Sequence, residues 1–284
     1  MNNLSIILPA KNESAALIRI LPDLKHANPK TEIIVVDDGS NDDTIQVCMD
    51  QQIKIVSHRY SMGNGAAIKT GARAASGDIL VFMDADGQHQ PKDILRLLAK
   101  LDDGYDMVVG ARGMGSQANM HRGIANKLYN ALASWMVGHK VADLTSGFRA
   151  VRADKFRKFL YLLPNGFSYP TTITMCFFRA GYSVAYEPIH APKRIGKSHV
   201  RIMRDGFRFI LIIFKIGTLY SPLKLFLPIS LSFFGIGMGY YLYSFISIHR
   251  FTNMSALLFI TSVLVFLIGL VSEQITTLNF KDSE

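Results

Sequence analysis

The clearest pattern along the chain is a run of five apolar residues, Ile79 to Met83, that leads into two acidic residues, Asp84 and Asp86. An uninterrupted apolar run of this length is typical of a parallel strand that is buried on both faces. If the chain stays extended beyond the run, the two carboxylates point to the same side. Gly87 then permits a turn, and Pro91 suits the first turn of a helix. The pattern predicts a buried strand, an acidic turn and a helix, in that order.

Strand-like and helix-like segments alternate through the first two-thirds of the chain. The predicted strands lie at 4–8, 32–36, 53–57, 79–83 and 107–110, and the predicted helices at 14–25, 42–51, from about 65 to before 77, and 91–101. This alternation predicts a mainly parallel sheet with helices on both faces. Farther along, the pattern is less regular. There we expect helices at 121–137 and 169–180, an edge strand at 148–151 and an extended segment at 182–187.

The composition changes towards the C-terminal end of the sequence. Leu225–Ile248 contains no charged residue and is long enough to span a bilayer at about 1.5 Å per residue. Ala256–Ser272 is a second uncharged run, and seven residues, 249–255, separate the two. We therefore predict an antiparallel transmembrane hairpin with both ends on one side of the membrane. Glycines at 235, 237 and 239 would allow close helix contact, so a homo-oligomer is left open.

A basic and apolar segment precedes this predicted hairpin. Arg201, Arg204, Arg208 and Lys215 fall close to one helical face, while positions 207 and 209–214 are phenylalanine, isoleucine or leucine. A helix of this kind lies at the lipid headgroups, and its charges place that side of the membrane in the cytoplasm. The alternative is an ordinary helix that packs under the preceding domain.

The overall charge narrows the classes of partner. The 284 residues include 31 lysines and arginines against 22 aspartates and glutamates, a formal net charge of +9. Such a balance suits nucleic acid, an anionic membrane or a phosphorylated substrate. The basic residues thicken before the apolar region, and the sequence has no zinc-ligand cluster or RNA-recognition signature, which argues for membrane and phosphate and against nucleic acid.

Cysteine usage and the first residues bear on the compartment. Cys48 and Cys176 both fall in predicted helices and fit buried, reduced thiols. The apolar run at 4–9 is too short for a signal peptide and has no basic segment before it. We therefore expect the catalytic part to be cytoplasmic and the protein to be a membrane protein with two spanning helices.

Paired carboxylates at the carboxyl end of a buried strand lie where an open α/β sheet binds its ligand. Asp84 and Asp86 at such a place suit Mg²⁺ or Mn²⁺ that carries phosphate oxygens. Two further strands lead to polar loops, 9–13 and 37–44, which would flank the same crevice and accept hydrogen bonds from a ribose or a base. The alternative is that these acids and hydroxyls only cap helices and fill turns.

Five motifs follow one another along the chain: Pro-Ala-x-Asn-Glu at 9–13, Val-Val-Asp-Asp-Gly-Ser at 35–40, Gly-Asn-Gly-Ala at 63–66, Asp-Ala-Asp-Gly-Gln at 84–88 and Asp-Leu-Thr-Ser-Gly-Phe-Arg-Ala at 143–150. With these motifs the chain resembles the family 2 glycosyltransferases of the GT-A fold, a Rossmann-like α/β domain that uses nucleotide-diphospho-sugars. The last motif resembles the branch with dolichyl-phosphate mannose synthases and bacterial polyprenyl-phosphate glycosyltransferases.

The resemblance covers residues 4–200, and the two-helix tail is similar to that of membrane-anchored members. The chain then divides into a GT-A domain at 1–200, a juxtamembrane amphipathic helix at 201–222, a transmembrane hairpin at 223–273 and a cytoplasmic tail at 274–284. The resemblance implies transfer of a sugar from a UDP- or GDP-linked donor to a polyprenyl phosphate, with Mg²⁺ or Mn²⁺ as cofactor.

It also implies a role for each matching residue. The nucleoside would be held by Pro9, Ala10, Glu13 and Asp38, and the metal ion and diphosphate by Asp84, Asp86 and Gln88. Arg112 would face the reaction centre, and the acceptor phosphate would be received by Arg122 and Asn126. The segment that closes over the diphosphate would contain Arg194, Lys197 and Ser198.

Transfer of a sugar to a phosphate requires several cations. Negative charge gathers on the nucleotide diphosphate as the sugar C1–O bond breaks, and a divalent metal ion with arginine or lysine stabilises it. The acceptor phosphate is already an anion, so it needs little help from a general base. Arg112, Arg122, Arg149 and Arg194 are candidates to offset its charge, with solvated surface charge as the alternative for each. We find no well-placed second nucleophile, which favours a single, inverting displacement.

The same residues distinguish this function from three others. A processive polysaccharide synthase carries Gln-x-x-Arg-Trp, but the single tryptophan, Trp135, follows Ala-Ser and fits helix packing. A haloacid-dehalogenase-type phosphatase has Asp-x-Asp on its first strand, whereas here the motif follows the fourth. A non-catalytic membrane scaffold would be expected to lack the acids or the arginines, and both are present. His89 is expected to support the site or lie at the surface, not to bind metal.

Overall fold

The computed structural model describes residues 3–27, 29–87, 89–112, 120–166, 168–189, 214 and 217–280, with 120–126 and 279–280 described by their backbone alone. The chain divides into two compact units, Met1–Asp205 and Gly206–Glu284. The boundary expected between the catalytic domain and the membrane segment was at 200/201. Because the predicted amphipathic helix falls mostly within 190–213 and 215–216, that prediction lies outside the described residues.

The first unit is an alternating α/β domain. Its elements, in chain order, are β1 Leu4–Ala10, α1 Ser14–Ala27, β2 Glu32–Asp37, α2 Thr44–Asp50, β3 Lys54–Ser57, α3 Asn64–Ala74, β4 Ile79–Phe82, α4 Pro91–Asp102, β5 Met107–Arg112, α5 Met120–Val137, β6 Arg149–Arg152, α6 Ala153–Arg157, α7 Tyr169–Arg179 and β7 Val184–Ile189. The predicted elements are all present, with boundaries shifted by a few residues.

The strands form one seven-stranded sheet in the order β3-β2-β1-β4-β6-β5-β7. Most neighbouring pairs are parallel, as predicted, but β6 is antiparallel to both β4 and β5. The prediction that residues 148–151 form an edge strand is therefore wrong. β6 lies inside the sheet because Ala150 and Val151 are apolar and buried, and Arg149 beside them is also wholly buried.

Helices cover both faces of the sheet, and alternate strand residues meet them. On one face, Ile6 and Leu8 pack in a single apolar cluster with residues of α1 and α4. On the other face, Ile7 lies so close to Gly71 of α3 that a Cβ at that glycine would be 2.3 Å from Ile7 Cγ2. The two cysteines are buried and free, as predicted.

One prediction about packing in this unit is wrong. Trp135 in α5 was expected to pack inside, but 52% of its surface is exposed. The inward face of α5 is filled by Tyr129, Ala133 and Met136, which are 0–3% exposed. Trp135 belongs to the opposite face of the helix.

The second unit contains two helices, α8 Pro222–Ile248 and α9 Asn253–Phe280. Both are long and apolar enough to cross a membrane, with mean hydropathies of 1.5 and 2.6. They are antiparallel, since Gly269 lies against Phe226, and Gly237 against Leu258. α9 continues to Phe280, so the predicted boundary at 273 falls inside a helix.

Side chains between α8 and α9 join the hairpin. Ser230 and Ser262 each donate a hydroxyl hydrogen bond to the other's backbone carbonyl, both at 2.9 Å. Near the start of α8, a carboxylate oxygen of Glu273 accepts from the backbone N–H of Leu223 at 3.2 Å. Of the three clustered glycines, Gly237 faces α9, whereas a Cβ at Gly235 or Gly239 would meet nothing within 4 Å.

Candidate active site

The strand order brings several of the loops that carry predicted site residues to one edge of the sheet. β1 lies between β2 and β4, so the chain leaves β1 in one direction and returns to its other side at β4. A crevice forms at such a reversal, outside the carboxyl ends of the parallel strands. β6 runs the other way, with Arg149 paired to Phe82. The loop that precedes β6 therefore reaches the edge where β4 ends.

The loops after β1 and β2 are joined by hydrogen bonds. The backbone N–H of Asn12 donates to Ser40 Oγ at 2.8 Å, and Asn12 Oδ1 accepts from the N–H of Asn41 at 2.8 Å. The N–H groups of Glu13 and Ser14 donate to side chains of the second loop at 3.1 Å. Asn12 takes a left-handed backbone conformation, φ 56°, which asparagine tolerates better than most residues. Two of the predicted nucleoside loops therefore form one rigid rim.

Three of the predicted nucleoside residues lie at the end of β1. Ala10 is buried, and Pro9 and Glu13 are half-buried. The carbonyl of Glu13 accepts the first hydrogen bonds of α1, from the N–H groups of Ala16 and Leu17. The nucleoside role of these three residues stays a prediction.

Asp38 is the anchor of the segment between β3 and α3. It accepts hydrogen bonds from His58 Nδ1 at 2.8 Å, Ser61 Oγ at 2.7 Å and the N–H groups of Met62 at 2.7 Å and Gly63 at 2.9 Å. Burial raises the pKa of this carboxyl, but these hydrogen bonds, that of His58 first, bring the pKa below its usual value. A carboxylate offers about four acceptor positions. A nucleoside would therefore have to displace one of these donors to bind Asp38.

The predicted metal acids lie beyond the end of the strand, Asp86 in a turn and Asp84 just before that turn. β4 ends at Phe82, and Ala85 and Asp86 form a turn that Gly87 completes with a φ of 75°. The alternation expected of an extended chain therefore does not apply to Asp84 and Asp86. Gln88, the third predicted ligand, lies outside the described residues.

Asp84 is enclosed from behind by the loop before β6. A Cβ at Gly147 would lie 3.1 Å from Asp84 Oδ2, so only glycine fits there without moving the carboxylate. His89 Nε2 lies 3.5 Å from the same oxygen, and its ring stacks on Phe148 with centroids 4.8 Å apart. His89 is 6% exposed. It therefore supports Asp84 from behind, one of the two places expected for it.

Arg112 is the cation beside these acids, at the end of β5. Its Nε donates to Asp143 Oδ2 at 2.8 Å and its Nη2 to Asp143 Oδ1 at 3.1 Å, a bidentate pair. Burial lowers the pKa of Arg112, but the hydrogen bonds and charge of Asp143 and the charges of Asp84 and Asp86 raise it above its ordinary value. Both predicted metal acids thus lie within electrostatic range of Arg112.

Asp143 is a site residue to which the sequence reasoning assigned no role. It also accepts from the N–H groups of Thr145 at 3.0 Å and Ser146 at 3.1 Å, which shapes the loop. Burial raises its pKa, but the hydrogen bonds and charge of Arg112 and the N–H of Thr145 lower it below the usual value. The sequence did contain a signal: Asp143 is the only acidic residue between Asp106 and Asp154.

The position of Arg149 contradicts the prediction that it binds the acceptor phosphate. Its side chain is 0% exposed, so its guanidinium has no surface to offer a ligand. It donates instead to the carbonyl of Ser146, to the carbonyl of Pro170 at 3.1 Å and to Thr174 Oγ1 at 3.3 Å. Arg149 holds the loop that carries Asp143 and Gly147 against the sheet. Its place is under the site, not in it.

The remaining predicted residues are not tested by side-chain geometry. Arg122 and Asn126 lie on the first two turns of α5, where only the backbone is described. Arg194, Lys197 and Ser198 lie outside the described residues. The structure therefore brings together Asp84, Asp86 and Arg112, with Asp143, Gly147 and His89 behind them.

Comparison with known proteins agrees with this fold. Glycosyl transferase family 2 matches residues 5–160, and the GtrB C-terminal hairpin matches residues 221–278. Among solved structures, glucosyl-3-phosphoglycerate synthase from Mycobacterium tuberculosis, in complex with Mn²⁺, UDP and glucosyl-3-phosphoglycerate, is similar with a TM-score of 0.61 at 22% identity. That similarity covers 76% of this chain and 80% of the synthase.

Two relatives are similar in sequence. The polyprenol monophosphomannose synthase of Mycolicibacterium smegmatis is 30% identical over 204 residues, which are 66% of this chain and 77% of that protein. The undecaprenyl-phosphate 4-deoxy-4-formamido-L-arabinose transferase of Proteus mirabilis is 32% identical over 162 residues, 54% of this chain and 49% of the transferase. With a GT-A domain, an acidic turn at its strand reversal and a C-terminal hairpin that fits a membrane, the chain belongs to glycosyl transferase family 2.

Proposed function

We propose that this glycosyltransferase moves a sugar from a UDP- or GDP-linked donor to a polyprenyl phosphate at the cytoplasmic face of a membrane, with inversion at the anomeric carbon. The observation that carries the proposal is that two acids, Asp84 and Asp86, lie within electrostatic range of the fixed Arg112, in a chain with a C-terminal apolar hairpin. The names of both relatives join a sugar to a polyprenyl compound, polyprenol monophosphomannose in one and undecaprenyl phosphate with an arabinose derivative in the other.

The acids fit a divalent metal ion that arrives with the donor. Among the described residues, no group of three or more histidine, cysteine, aspartate or glutamate side chains is placed to hold a metal ion by itself. Two carboxylates completed by diphosphate oxygens and water are a usual arrangement for Mg²⁺, and Mn²⁺ accepts similar oxygen ligands. Asp84 and Asp86 would hold the ion, together with Gln88. When bound, the ion would offset charge on the leaving diphosphate.

Arg112 would supply a second positive charge at the same place. Its bidentate contact with Asp143 fixes the guanidinium, so little reorganisation is needed when negative charge develops nearby. Arg122 and Asn126 would hold the acceptor phosphate, and Arg194, Lys197 and Ser198 would close over the diphosphate. Arg149 takes no direct part because it is buried.

The chemical step is a single displacement. An oxygen of the acceptor phosphate attacks the anomeric carbon and forms the new C1–O bond. The bond from C1 to the diphosphate oxygen breaks, and its electron pair leaves with the nucleoside diphosphate. Because the attacking oxygen is already anionic, no proton has to be removed from it. Attack opposite to the leaving group inverts the configuration.

The hairpin would keep the domain at the surface where the lipid phosphate lies. Both ends of the hairpin emerge on one side, and the basic residues that precede it at 201, 204 and 208 favour the cytoplasmic side. A soluble enzyme would have to lift a long apolar chain out of the bilayer to reach its phosphate.

The test uses membranes that contain the full-length protein, a panel of labelled UDP- and GDP-sugars and added polyprenyl phosphate. We expect one donor to label a lipid with one sugar and inverted configuration, and excess EDTA to stop the reaction until Mg²⁺ or Mn²⁺ is restored. Asp86→Asn should lose most activity, whereas Asp102→Asn, at an exposed position of α4, should not. Label in a long polymer would support a processive synthase, and no turnover with any donor would support a scaffold.

A further inference from the structure

The outward face of α5 exposes large apolar side chains. Leu128 is 65% exposed and Trp135 is 52% exposed. They are seven positions apart in the helix, which puts them within about 20° of the same helical face and about 10 Å apart along the axis. Ala131, between them on that face, is also exposed. The helix therefore has two apolar stripes, one packed inside the domain and one facing outward.

The other helices of the first unit do not share this property. Among the described residues, α1, α2 and α4 each expose a single large apolar side chain, Ile18, Met49 and Leu95. Isolated exposed apolar residues are common on soluble proteins and need no partner. A tryptophan and a leucine on one face of one helix form a continuous patch, which indicates a contact surface.

The chain segment that carries this patch has charged residues of one sign. The sequence has no acidic residue from Met107 to Ala142, although it contains two arginines and two lysines there. Lys127, next to Leu128, and Lys140, just after the helix, are both exposed. Lysines that flank tryptophan and leucine are typical of helices at anionic membrane surfaces, where the ring and the apolar stem enter the headgroup layer.

We propose that the outward face of α5, formed by Lys127, Leu128, Ala131 and Trp135, is a second membrane contact that docks the catalytic domain on anionic lipid headgroups. The proposal rests on the proposed function, since it requires the domain to work at a membrane. It goes beyond that function because the hairpin alone would tether the domain without orienting it. An anionic lipid surface suits this face better than a protein partner, because exposed Lys127 adjoins the apolar pair and the sequence from Met107 to Ala142 has no acidic residue.

Docking by this face would orient the predicted acceptor site. Arg122 and Asn126 are four residues apart at the start of α5, and helical spacing puts both on roughly the opposite side from Leu128 and Trp135. A helix is about 10 Å across with its side chains. A domain that rests on α5 would therefore hold the predicted acceptor residues within about one helix diameter of the lipid phosphates.

The protein offers a direct probe, since Trp135 is its single tryptophan. The full-length protein is placed in vesicles of phosphatidylcholine and phosphatidylglycerol, and its fluorescence is compared with and without lipids brominated near the headgroup end of the acyl chain. We expect Trp135 to emit at a shorter wavelength than a water-exposed tryptophan, and we expect the intensity of this emission to fall when brominated lipid is present. Emission that stays at the wavelength of water-exposed tryptophan, or that bromine does not quench, would overturn the proposal.

A matched variant moves the tryptophan to another exposed helix position. Trp135→Phe combined with Leu95→Trp places the single tryptophan on α4. This helix packs on the opposite face of the sheet from α5, since α4 shares an apolar cluster with Ala150, whereas Arg149, the next residue along β6, contacts α7, which packs with α5. Bromine should leave this tryptophan unquenched. Equal quenching at both positions would also overturn the proposal, since it would show that the docked face is not specific.

Activity separates this proposal from the proposed function. Leu128→Gln combined with Trp135→Gln should raise KM for a long-chain polyprenyl phosphate in vesicles and leave turnover of a short, water-soluble analogue unchanged. If the wild type transfers sugar to lipid and the variant does so with the same KM, only the docking proposal fails. If the wild type transfers sugar to no lipid phosphate while Trp135 is quenched, the proposed function fails and the membrane contact stands.

Discussion

Asp143→Asn tests whether Arg112 depends on its partner across the loop. The substitution keeps the size of the side chain but removes its charge and replaces one oxygen by an N–H₂ group. Asp143 Oδ2 accepts from Arg112 Nε at 2.8 Å and from its backbone N–H at 3.3 Å. If the asparagine kept its amide oxygen towards the N–H groups of Thr145 and Ser146, its N–H₂ group would face the two N–H donors of Arg112. Arg112 would then be a partly buried cation without its carboxylate.

The expected loss of stability follows from the burial of the pair. Removing one partner of a buried ion pair costs about 3–5 kcal/mol. The Arg112 side chain is 31% exposed, so water can replace part of the lost contact and the lower end applies, about 3 kcal/mol. For a chain of this size the melting temperature should fall by roughly 6–12 °C. A displaced guanidinium should also lower kcat by on the order of 100-fold.

The pH dependence has a definite sign. The pKa of Asp143 is lower in the folded protein than in the unfolded chain, where it is about 3.9. The stability that its charge contributes is therefore fully present above about pH 5 and is lost as the pH falls through the folded-state pKa. The difference in melting temperature between wild type and Asp143→Asn should be constant from pH 8 to pH 5 and should shrink below about pH 4.

The assay is thermal unfolding of the full-length protein in detergent, together with turnover at a temperature where both proteins are folded. Asp106→Asn is the matched control. Like Asp143, Asp106 pairs with a basic side chain and accepts from a backbone N–H, but it is half-buried and lies at the opposite end of β5. This variant should lower the melting temperature and leave kcat nearly unchanged. The reasoning is refuted if Asp143→Asn turns over like the wild type, or if Asp106→Asn loses as much turnover.

Two further predictions follow from single contacts. Gly147→Ala should lower turnover at least tenfold and weaken Mn²⁺ binding, because the new Cβ would lie 3.1 Å from Asp84 Oδ2. Gly166→Ala is the control and should change neither, because a Cβ there would meet nothing within 4 Å. Equal Mn²⁺ affinity in the two variants would contradict this prediction. Ser262→Ala should destabilise the hairpin by about 0.6 kcal/mol, because it removes a hydrogen bond between α8 and α9, and unfolding in detergent would measure it. Ser232→Ala should have less effect, since that hydroxyl only bonds a carbonyl of its own helix.

Local patterns in the sequence were enough to predict the order of the elements and to mark the acids after β4 as candidate site residues. Apolar runs and helical spacing depend on the residues of each segment alone, so the order of strands and helices could be predicted from them. The acids after β4 were predicted to be site residues because paired carboxylates at the carboxyl end of a buried strand lie where an open α/β sheet binds its ligand. The hairpin was predictable for the same reason, since two uncharged runs of this length have to be shielded from water.

Contacts between distant segments could be decided only by the tertiary structure. Residues 148–151 looked like an edge strand, and only the pairing with both β4 and β5 places β6 inside the sheet. Arg112 and Arg149 are alike as residues, yet one faces the acids and the other is buried under the loop. Each arginine is positioned by the groups that accept its hydrogen bonds. Arg112 is held by Asp143, which is 31 residues away in the sequence, whereas Arg149 is held by the carbonyls of Ser146 and Pro170, and local sequence patterns do not show either set of contacts.

The same limit explains Trp135. Helical periodicity identifies an apolar stripe, but α5 has apolar residues on two faces, and the sequence does not say which face meets α7. The structure turns Tyr129, Ala133 and Met136 inward and leaves Trp135 outside. A pattern within one helix determines that the helix forms. Which of its faces is buried depends on the surface that the rest of the chain presents to it, and that surface exists only once the sheet has assembled.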